Sequence, residues 1–404
     1  MSTSENSHVQ GAKAWTQIGG PIYLKHAVYY TLEAQERLIR CPCRRNVKVQ
    51  PKGKVTRLTR GVPVGRMKDV FFETRIPRVY RPDCDKVRQI NIGFARDRRK
   101  YSKAFEKEVL LRVKDTSILK VADALGVDWH TIHLILIDYL KRRYLKINLK
   151  GLEYIAIDET RVGRGYKYLT IVLDLRSGNP VFIGDGKSED YLIPFWKLLG
   201  RRAKEIKAVC LDMGPAHQKA VREHLPDAYI VFDRFHVYKL MTEKTDRLRR
   251  TVFAKASIAN KIIIAGTRFL LLKNANNLEV ARNEVQRLKR VLALNTPLTK
   301  AYILKESLRR IWEQKSRREA KSSLKGWVKI AYASGIRILQ TVPRTVEKYS
   351  ERILNYYIDF LTSGPIEGFN NKVKALIRRA YGYRNMNNFK LMLLGINEFD
   401  PRRL

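Results

Sequence analysis

The stretch that decides the fold is EYIAIDE, residues 153–159, an apolar run that ends in two carboxylates. Four further apolar runs follow it at short intervals: KYLTIVLDL (167–175), PVFIGDG (180–186), IKAVCLDM (206–213) and AYIVFD (228–233). Runs of this length, separated by polar or glycine-containing turns, predict β-strands. Helical spacing at 188–199 and 215–224 places a helix before each of the last two strands. The order of three strands, helix, strand, helix, strand predicts a mixed α/β domain.

Outside this block the chain changes character several times. From about residue 236 to 361 the apolar residues recur at helical spacing. Gly364 and Pro365 then break the pattern before a basic segment, IEGFNNKVKALIRRAYGYRN (366–385). These changes predict a basic N-terminal domain at 1–98, a small helical domain at 99–150, and a core at 151–235 and 362–404 that is split by a helical insertion at 236–361.

The charge balance indicates the class of partner. The chain has 404 residues with 80 Lys and Arg against 39 Asp and Glu, a net charge of +41. Such an excess predicts a polyanion, and double-stranded DNA fits best because each bound phosphate releases a counterion. A membrane surface is the weaker alternative. The sequence has no uncharged apolar run of about 18 residues, because Arg268 interrupts the most apolar stretch, residues 262–272. The polar N-terminus and only four cysteines predict a cytoplasmic protein without a disulfide scaffold.

Residues 117–140 carry the spacing of a helix-turn-helix. Val121 and Leu125 lie on one apolar face, Gly126 allows a tight turn, and Asp128 can cap a second helix. An ordinary helical hairpin is the alternative, but the charge of the chain favours DNA binding. The residues expected to face DNA at the start of the second helix are Trp129, His130, Thr131 and His133.

The N-terminal part is densely basic. Between residues 40 and 103, Lys and Arg alternate with β-branched residues, which predicts short strands with basic faces. Residues 27–40 are predicted to form a short helix. We expect Arg44, Arg45 and Arg98 to bind DNA without regard to its sequence.

Three acidic residues are candidates for chemistry. Asp158 and Asp212 each end a predicted buried strand, where a carboxylate is costly unless it is paired or bound to a metal. The alternative is that each Asp caps a neighbouring helix. Glu367 begins a basic helix, whose N-terminus would stabilise a carboxylate in any case. The helix continues with a cationic face that could follow phosphates: Lys372, Lys374, Arg378 and Arg379.

Four segments together carry a family resemblance: IAIDE (155–159), CLDM (210–213), VFDRFHVYKL (231–240) and SGPIEGFNNKVKALIRRAYGYRN (363–385). They resemble the DDE transposases of bacterial insertion sequences, most closely the ISL-three family, over residues 41–397. The resemblance implies a multidomain α/β protein with an RNase H-like catalytic core and a large all-α insertion. A small basic β domain and the helix-turn-helix would precede that core.

The resemblance also implies site residues and cofactors. Asp158, Asp212 and Glu367 would be the catalytic metal ligands for two Mg²⁺ ions, with Mn²⁺ able to substitute. Such ions activate a water or a DNA 3′-hydroxyl and stabilise an in-line phosphoryl displacement. Asp233 and His236 resemble an Asp-x-x-His element near the active site, and a structural hydrogen-bonded pair is the alternative.

Two further expectations follow from relatives of this kind. The insertion would hold the transposon end, and Trp327, in a basic stretch, is expected to contact DNA, with a core role as the alternative. Relatives also begin with a four-cysteine zinc domain. Here Cys41 and Cys43 are one residue too close, and an arginine replaces the cysteine expected three residues before Cys84. The expected domain is therefore a degenerate zinc-ribbon-like one, for which Zn²⁺ is less favoured than a metal-free β fold.

The function expected from these features is that of a transposase. It would bind the terminal inverted repeats of an insertion sequence and catalyse Mg²⁺-dependent strand cleavage and strand transfer. We expect a homodimer or higher assembly on double-stranded DNA, with no membrane partner, in a bacterial cytoplasm and associated with the nucleoid. The alternatives are a helix-turn-helix regulator with a catalytically silent core and an RNase H-like nuclease of another purpose.

Overall fold

The chain forms two compact units. A computed structural model describes residues 11–12, 14–40, 49–82, 85–163, 167–379, 383 and 385–398. The first unit comprises Met1–Lys146 together with Gly395–Leu404, and the second comprises Ile147–Leu394. The finer domain boundaries expected from the sequence remain predictions.

A six-stranded sheet forms one part of the first unit. Its strands are β1 (Trp15–Gln17), β2 (Ile22–Tyr23), β3 (Ala27–Ala34), β4 (Gln50–Arg60), β5 (Asp69–Arg81) and β6 (Lys86–Gln89). Their order is β1-β3-β5-β4, with β2 paired to β3 and β6 paired to β5. Strands β3 and β5 run parallel, and the other pairs are antiparallel.

Strand β3 overturns the helix predicted for residues 27–40. Val28, Tyr30 and Leu32 are buried while the residues between them are only half-buried, so the side chains alternate with a period of two. That alternation is the signature of a strand with one face on the core. The helix prediction was wrong because the stretch is too short for the two periods to be told apart by its apolar residues alone.

Three helices form the other part of this unit: α1 (Lys103–Asp115), α2 (Ile118–Leu125) and α3 (Trp129–Tyr144). Gly126, with φ of 62°, ends α2, and Asp128 begins α3 by accepting a hydrogen bond from the His130 backbone N–H at 2.8 Å. The predicted helix-turn-helix is therefore present. Its small core contains Phe105, Leu125 and Ile132.

Arg60 joins the sheet to the helix-turn-helix within this unit. Its guanidinium pairs with Asp69 and donates to the carbonyl oxygens of Leu125 at 2.8 Å and Gly126 at 3.2 Å. Those carbonyls belong to the end of α2, where backbone acceptors lack helical partners. One side chain of β4 thus fixes the turn of the motif.

The second unit is built on a five-stranded sheet: β7 (Tyr154–Arg161), β8 (Tyr168–Asp174), β9 (Pro180–Asp185), β10 (Ala208–Leu211) and β11 (Tyr229–Phe232). The order is β11-β10-β7-β8-β9. Strands β7, β10 and β11 run parallel, while β8 is antiparallel to both its neighbours. The first three strands form the predicted meander.

The helices of this unit are α4 (Ile193–Leu199), α5 (Pro215–His224), α6 (Arg234–Lys255), α7 (Ile258–Ile264), α8 (Arg268–Leu272), α9 (Glu284–Leu294), α10 (Thr296–Arg309), α11 (Arg317–Ala333), α12 (Thr341–Lys348), α13 (Ser350–Leu354), α14 (Tyr356–Asp359), α15 (Gly364–Arg379) and α16 (Met386–Leu394). Ile157, Leu211 and Phe232 face a large core shared with the helices between β11 and α15. Helix α15 contacts β7. None of the helices in the described ranges has the length and apolar character that crossing a bilayer requires.

Candidate active site

Three aspartates lie in one row across the parallel strands. Cys210 pairs with Ala156, and Leu211 pairs with Phe232. Extending each register along the chain sets Asp158, Asp212 and Asp233 side by side, and residues paired across parallel strands project to the same face. Asp212 and Asp233 directly follow their strands, whereas β7 continues three residues beyond Asp158 because it still pairs with β8. The expectation that Asp158 ends its strand was therefore wrong.

Asp158 is held by two hydrogen bonds. One carboxylate oxygen accepts from the Glu159 backbone N–H at 2.8 Å, and the other accepts from Asn370 Nδ2 of α15 at 2.7 Å. Burial raises the pKa of Asp158, and the nearby charge of Asp212 raises it further. The Asn370 Oδ1 atom is buried and has no hydrogen-bond partner among the described residues. The site therefore contains concentrated negative charge and an unsatisfied oxygen.

A carboxylate, Glu159, and an imidazole, His217, lie close to each other next to this row of aspartates. Burial raises the pKa of Glu159 to about 7, and the charges of Asp212 and Asp158 add to the effect. His217 Nε2 lies 3.3 Å from Glu159 Oε1 but is not aligned for a hydrogen bond, and burial lowers the pKa of His217. His217 is only 3% exposed, so it lies inside the unit next to Glu159 and not on the surface.

Asp233 and His236 are hydrogen-bonded at the start of α6. His236 Nδ1 lies 3.1 Å from Asp233 Oδ2, and Oδ1 accepts from the Phe235 backbone N–H at 2.9 Å. Burial by itself would raise the pKa of Asp233, but hydrogen bonds from His236, Ser363 and Phe235 bring it below its usual value. The bond to Asp233 raises the pKa of His236. The hydrogen bond between them thus favours the charged form of each group, the carboxylate of Asp233 and the imidazolium of His236.

This pairing predicts a pH-dependent contribution to stability. The Asp233 part is present above the unfolded pKa of 3.8 and is lost as pH falls through the lowered folded pKa. The His236 part is present below 6.5 and is lost as pH rises through the raised folded pKa. We expect Asp233→Asn, which keeps the helix cap, to cost roughly 1.5–3 kcal/mol at pH 5.5 and clearly less at pH 9.

Chemical denaturation in EDTA measures the difference at each pH. The matched control is Asp246→Asn, because Asp246 pairs at 2.9 Å with Arg249, which stays charged over this range. Its cost should not change with pH. An Asp233→Asn cost that is equal at pH 5.5 and 9 would contradict the pairing.

Glu367 lies in the first turn of α15, one turn before Asn370, and is exposed. It lines a cavity of about 500 Å³ that Asp233 and Ser363 also line. Within the described ranges, no three His, Cys, Asp or Glu side chains come together as a metal-holding cluster. Glu367 and Asp233 thus line the same cavity, but the described residues do not by themselves form a complete set of metal ligands.

The residues predicted to contact DNA are dispersed over both units. Trp129, His130 and Arg98 are exposed, while His133 is half-buried. The Thr131 hydroxyl is within hydrogen-bonding distance of the Tyr101 hydroxyl, at 3.2 Å. In the second unit, Lys374 and Arg378 are exposed on α15 and Lys372 is half-buried. The side chain of Arg379 and all of Cys41, Cys43, Arg44, Arg45 and Cys84 lie outside the described residues.

Trp327 does not fit the DNA contact predicted for it. Its side chain is 4% exposed, and the indole N–H donates to the Leu304 carbonyl oxygen at 2.9 Å. A buried ring whose N–H is satisfied has no free face for a base. Trp327 is part of the large core with Leu324, Val328 and Ala331, so the core alternative is correct.

Three polar residues of the site were not predicted from the sequence. Asn370 bonds Asp158, Ser363 bonds Asp233, and Glu159 lies next to Asp158. Their positions beside the acidic motifs were the available signal: Asn370 is three residues after Glu367, one helical turn away. Residues 367 and 370 therefore lie on the same face of α15.

Comparisons with known proteins identify the family of the chain. The DDE transposase domain of family ISL3 matches residues 155–393, and the helix-turn-helix domain of transposase family ISL3 matches residues 91–140. The transposase for insertion sequence element IS1001 of Bordetella parapertussis is 32% identical over 285 residues, 70% of each chain. The transposase for insertion sequence element IS1557 of Mycobacterium tuberculosis is 27% identical over 368 residues, 85% of this chain and 82% of that one. The chain belongs to the ISL3 family and is an insertion-sequence transposase with a helix-turn-helix and a DDE domain.

Proposed function

We propose that this transposase cleaves and joins DNA at the ends of its own element, with Asp158, Asp212 and Glu367 as the ligands of catalytic divalent ions. The observation that supports this most directly is the row of Asp158, Asp212 and Asp233 across three parallel strands. Glu367 lines a cavity next to that row. Acidic side chains gathered at one edge of a sheet suit metal-assisted phosphoryl transfer.

The fold of this unit supports an RNase H-like core. The strand order β9-β8-β7-β10-β11 corresponds to 3-2-1-4-5 in chain order, with only the second strand antiparallel to the first. The helices between β11 and α15 would then be the insertion, and α15 would supply the acidic residue from a late helix.

The donor set fits Mg²⁺ or Mn²⁺. Carboxylate and amide oxygens are the ligands that hard divalent cations prefer. Asp158 has neighbouring negative charge from Asp212 and a raised pKa, and the Asn370 Oδ1 atom beside it lacks a partner among the described residues. When bound, such ions would activate the attacking hydroxyl and stabilise charge on the transferred phosphate.

The protein's own residues would prepare the site for this reaction. Asn370 orients the Asp158 carboxylate through the 2.7 Å hydrogen bond. His236, held by Asp233, would present its second ring nitrogen to an anion such as the scissile phosphate. The exposed Lys374 and Arg378 of α15 would contact the DNA backbone next to the site.

End recognition is assigned to the first unit. The helix-turn-helix would dock in the major groove of the terminal inverted repeats, and basic residues of the sheet would contact phosphates. Because two ends are cut and joined, a homodimer or higher assembly on DNA is proposed. For the domain that contains Cys41, Cys43 and Cys84, a metal-free fold stays the prediction and Zn²⁺ the less favoured alternative.

The deciding experiment is a cleavage assay on linear DNA that carries the element's own ends. We expect strand cleavage and joining with Mg²⁺ or Mn²⁺ and neither with EDTA. DNA of the same length with scrambled ends is the control. End binding without any cleavage under these conditions would favour a regulator with a silent core, and equal cutting of scrambled ends would favour a general nuclease.

The two kinds of DNA contact should be separable by mutation. The double change of His130 and Thr131 to Ala should weaken binding to the element's end by about 1–3 kcal/mol and leave binding to random DNA nearly unchanged. Arg98→Ala should weaken both alike and lower the salt dependence by about one phosphate contact. Fluorescence anisotropy over a salt series measures both effects. Equal losses on both DNAs from the double change would exclude base recognition by these residues.

A further inference from the structure

The exposed face at the start of α3 has an unusual composition for a helix that reads DNA. Trp129 is 53% exposed and Leu134 is 46% exposed, and His130 is also exposed. Ile132, between them in sequence, is buried in the core of the helix-turn-helix. The first two turns of the second helix of such a motif are the part that contacts base edges. Two large exposed side chains in the first two turns of α3, Trp129 and Leu134, are therefore apolar.

The side chains that usually read bases by hydrogen bonds are absent from this face. Residues 129–140 contain no Lys, Arg, Asn or Gln, and the first cation of α3 is Lys141. Lys141 lies about 18 Å along the helix axis from Trp129. Arg and Lys pair with guanine, and Asn and Gln with adenine. Thr131 already has the Tyr101 hydroxyl within 3.2 Å. The other polar side chains here that can form hydrogen bonds to base edges are the imidazoles of His130 and His133.

The major groove offers one apolar group, the 5-methyl of thymine. We propose that α3 recognises the transposon end by packing Trp129 and Leu134 against thymine methyl groups. The Trp129 ring is positioned for this before DNA binds, because the rings of His130 and His133 lie 5.7 Å and 6.2 Å from it. The proposal rests on end recognition by the helix-turn-helix and is independent of the catalytic role of the second unit.

The test removes the methyl groups and nothing else. The full chain, in EDTA so that DNA stays intact, is titrated with duplexes of the element's end containing either thymine or uracil throughout. A random-sequence pair of duplexes reports any general effect of uracil. We expect wild type to bind the uracil end at least about fourfold more weakly, because each buried methyl is worth about 0.8 kcal/mol. The random pair should differ little.

Trp129→Ala should bind the thymine end about as weakly as wild type binds the uracil end, and it should lose most of the difference between the two. The matched control is Leu145→Ala, which removes a side chain that is 71% exposed just beyond the other end of α3. It should keep the wild-type ratio. Thermal melting checks that both variants are folded.

Three results would overturn the proposal. Wild type could bind both end duplexes equally, or Trp129→Ala could keep the full preference for thymine. Trp129→Ala could also change the oligomeric state and leave DNA binding intact, which would assign this face to a protein partner. A chain that binds the thymine end no better than random DNA would refute end recognition itself, and the cleavage assay would show whether the catalytic proposal survives.

Discussion

Replacing Asp158, Asp212 or Glu367 singly by Ala is expected to lower the rate of end cleavage by at least about a thousandfold, or ~4 kcal/mol of transition-state stabilisation. Each change removes a proposed ligand from the site that activates the attacking hydroxyl. End binding should be unchanged or slightly tighter, because a chain of net charge +41 loses one negative charge. Cleavage and binding are measured on the same end fragment.

The matched control for these changes is Asp227→Ala. Asp227 is exposed and precedes β11, so it lies at the opposite end of that strand from Asp233. Its loss should leave the cleavage rate within about twofold of wild type, as for a surface position. If one of the three acidic variants cleaved at nearly the wild-type rate, that residue would not be a ligand.

Trp327→Ala is expected to destabilise the second unit by about 3–5 kcal/mol, the usual cost of truncating a large buried aromatic side chain. The change would also leave the Leu304 carbonyl oxygen without its 2.9 Å donor. Denaturant unfolding with and without the change measures the loss. Cleavage should fall only as far as the folded fraction falls.

Two controls separate this core role from a DNA contact. Lys325→Ala, two residues away and exposed, should leave stability nearly unchanged. An abasic position at the end of the element should not restore cleavage by Trp327→Ala. If Trp327→Ala left stability unchanged and the abasic end restored its cleavage rate, Trp327 would be a DNA contact and not a core residue.

The strands and the helix-turn-helix were predictable because their signals are local. Apolar runs with turns between them gave the five strands of the second unit, and Gly126 and Asp128 marked the turn and the cap of the motif. The family domains match the same segments. The conformation at these positions depends mainly on residues that are close to them in sequence.

Trp327 shows where a local interpretation of charge misleads. Its basic neighbours suggested an exposed site, yet Leu324 and Ala331, three residues before it and four after it, lie on the same helical face and are buried with it. On a helix, residues next to each other in sequence point in different directions, so neighbouring lysines say little about one side chain. The spacing of three, four and seven residues was the better guide.

The contacts of the site depend on pairing between distant segments, and these were not predictable from spacing. Asn370 meets Asp158 across 212 residues of sequence because α15 contacts β7. The row of aspartates likewise depends on strand register, which is fixed only when the sheet forms. The acidic residues could be predicted from the sequence, but their hydrogen-bond partners, such as Asn370 for Asp158, could not.

The segment around Glu398 belongs to the first unit, although it follows the whole second unit in sequence, and this has a consequence for synthesis. Glu398 accepts a hydrogen bond from the Tyr139 hydroxyl at 2.9 Å and pairs with Arg143 at 3.2 Å, both on the last turns of α3. Domains generally fold in order as they leave the ribosome. This unit, although most of it comes first, cannot complete its contacts until Glu398 has been translated. A protein truncated during synthesis would therefore carry a DNA-binding unit that lacks its final supports.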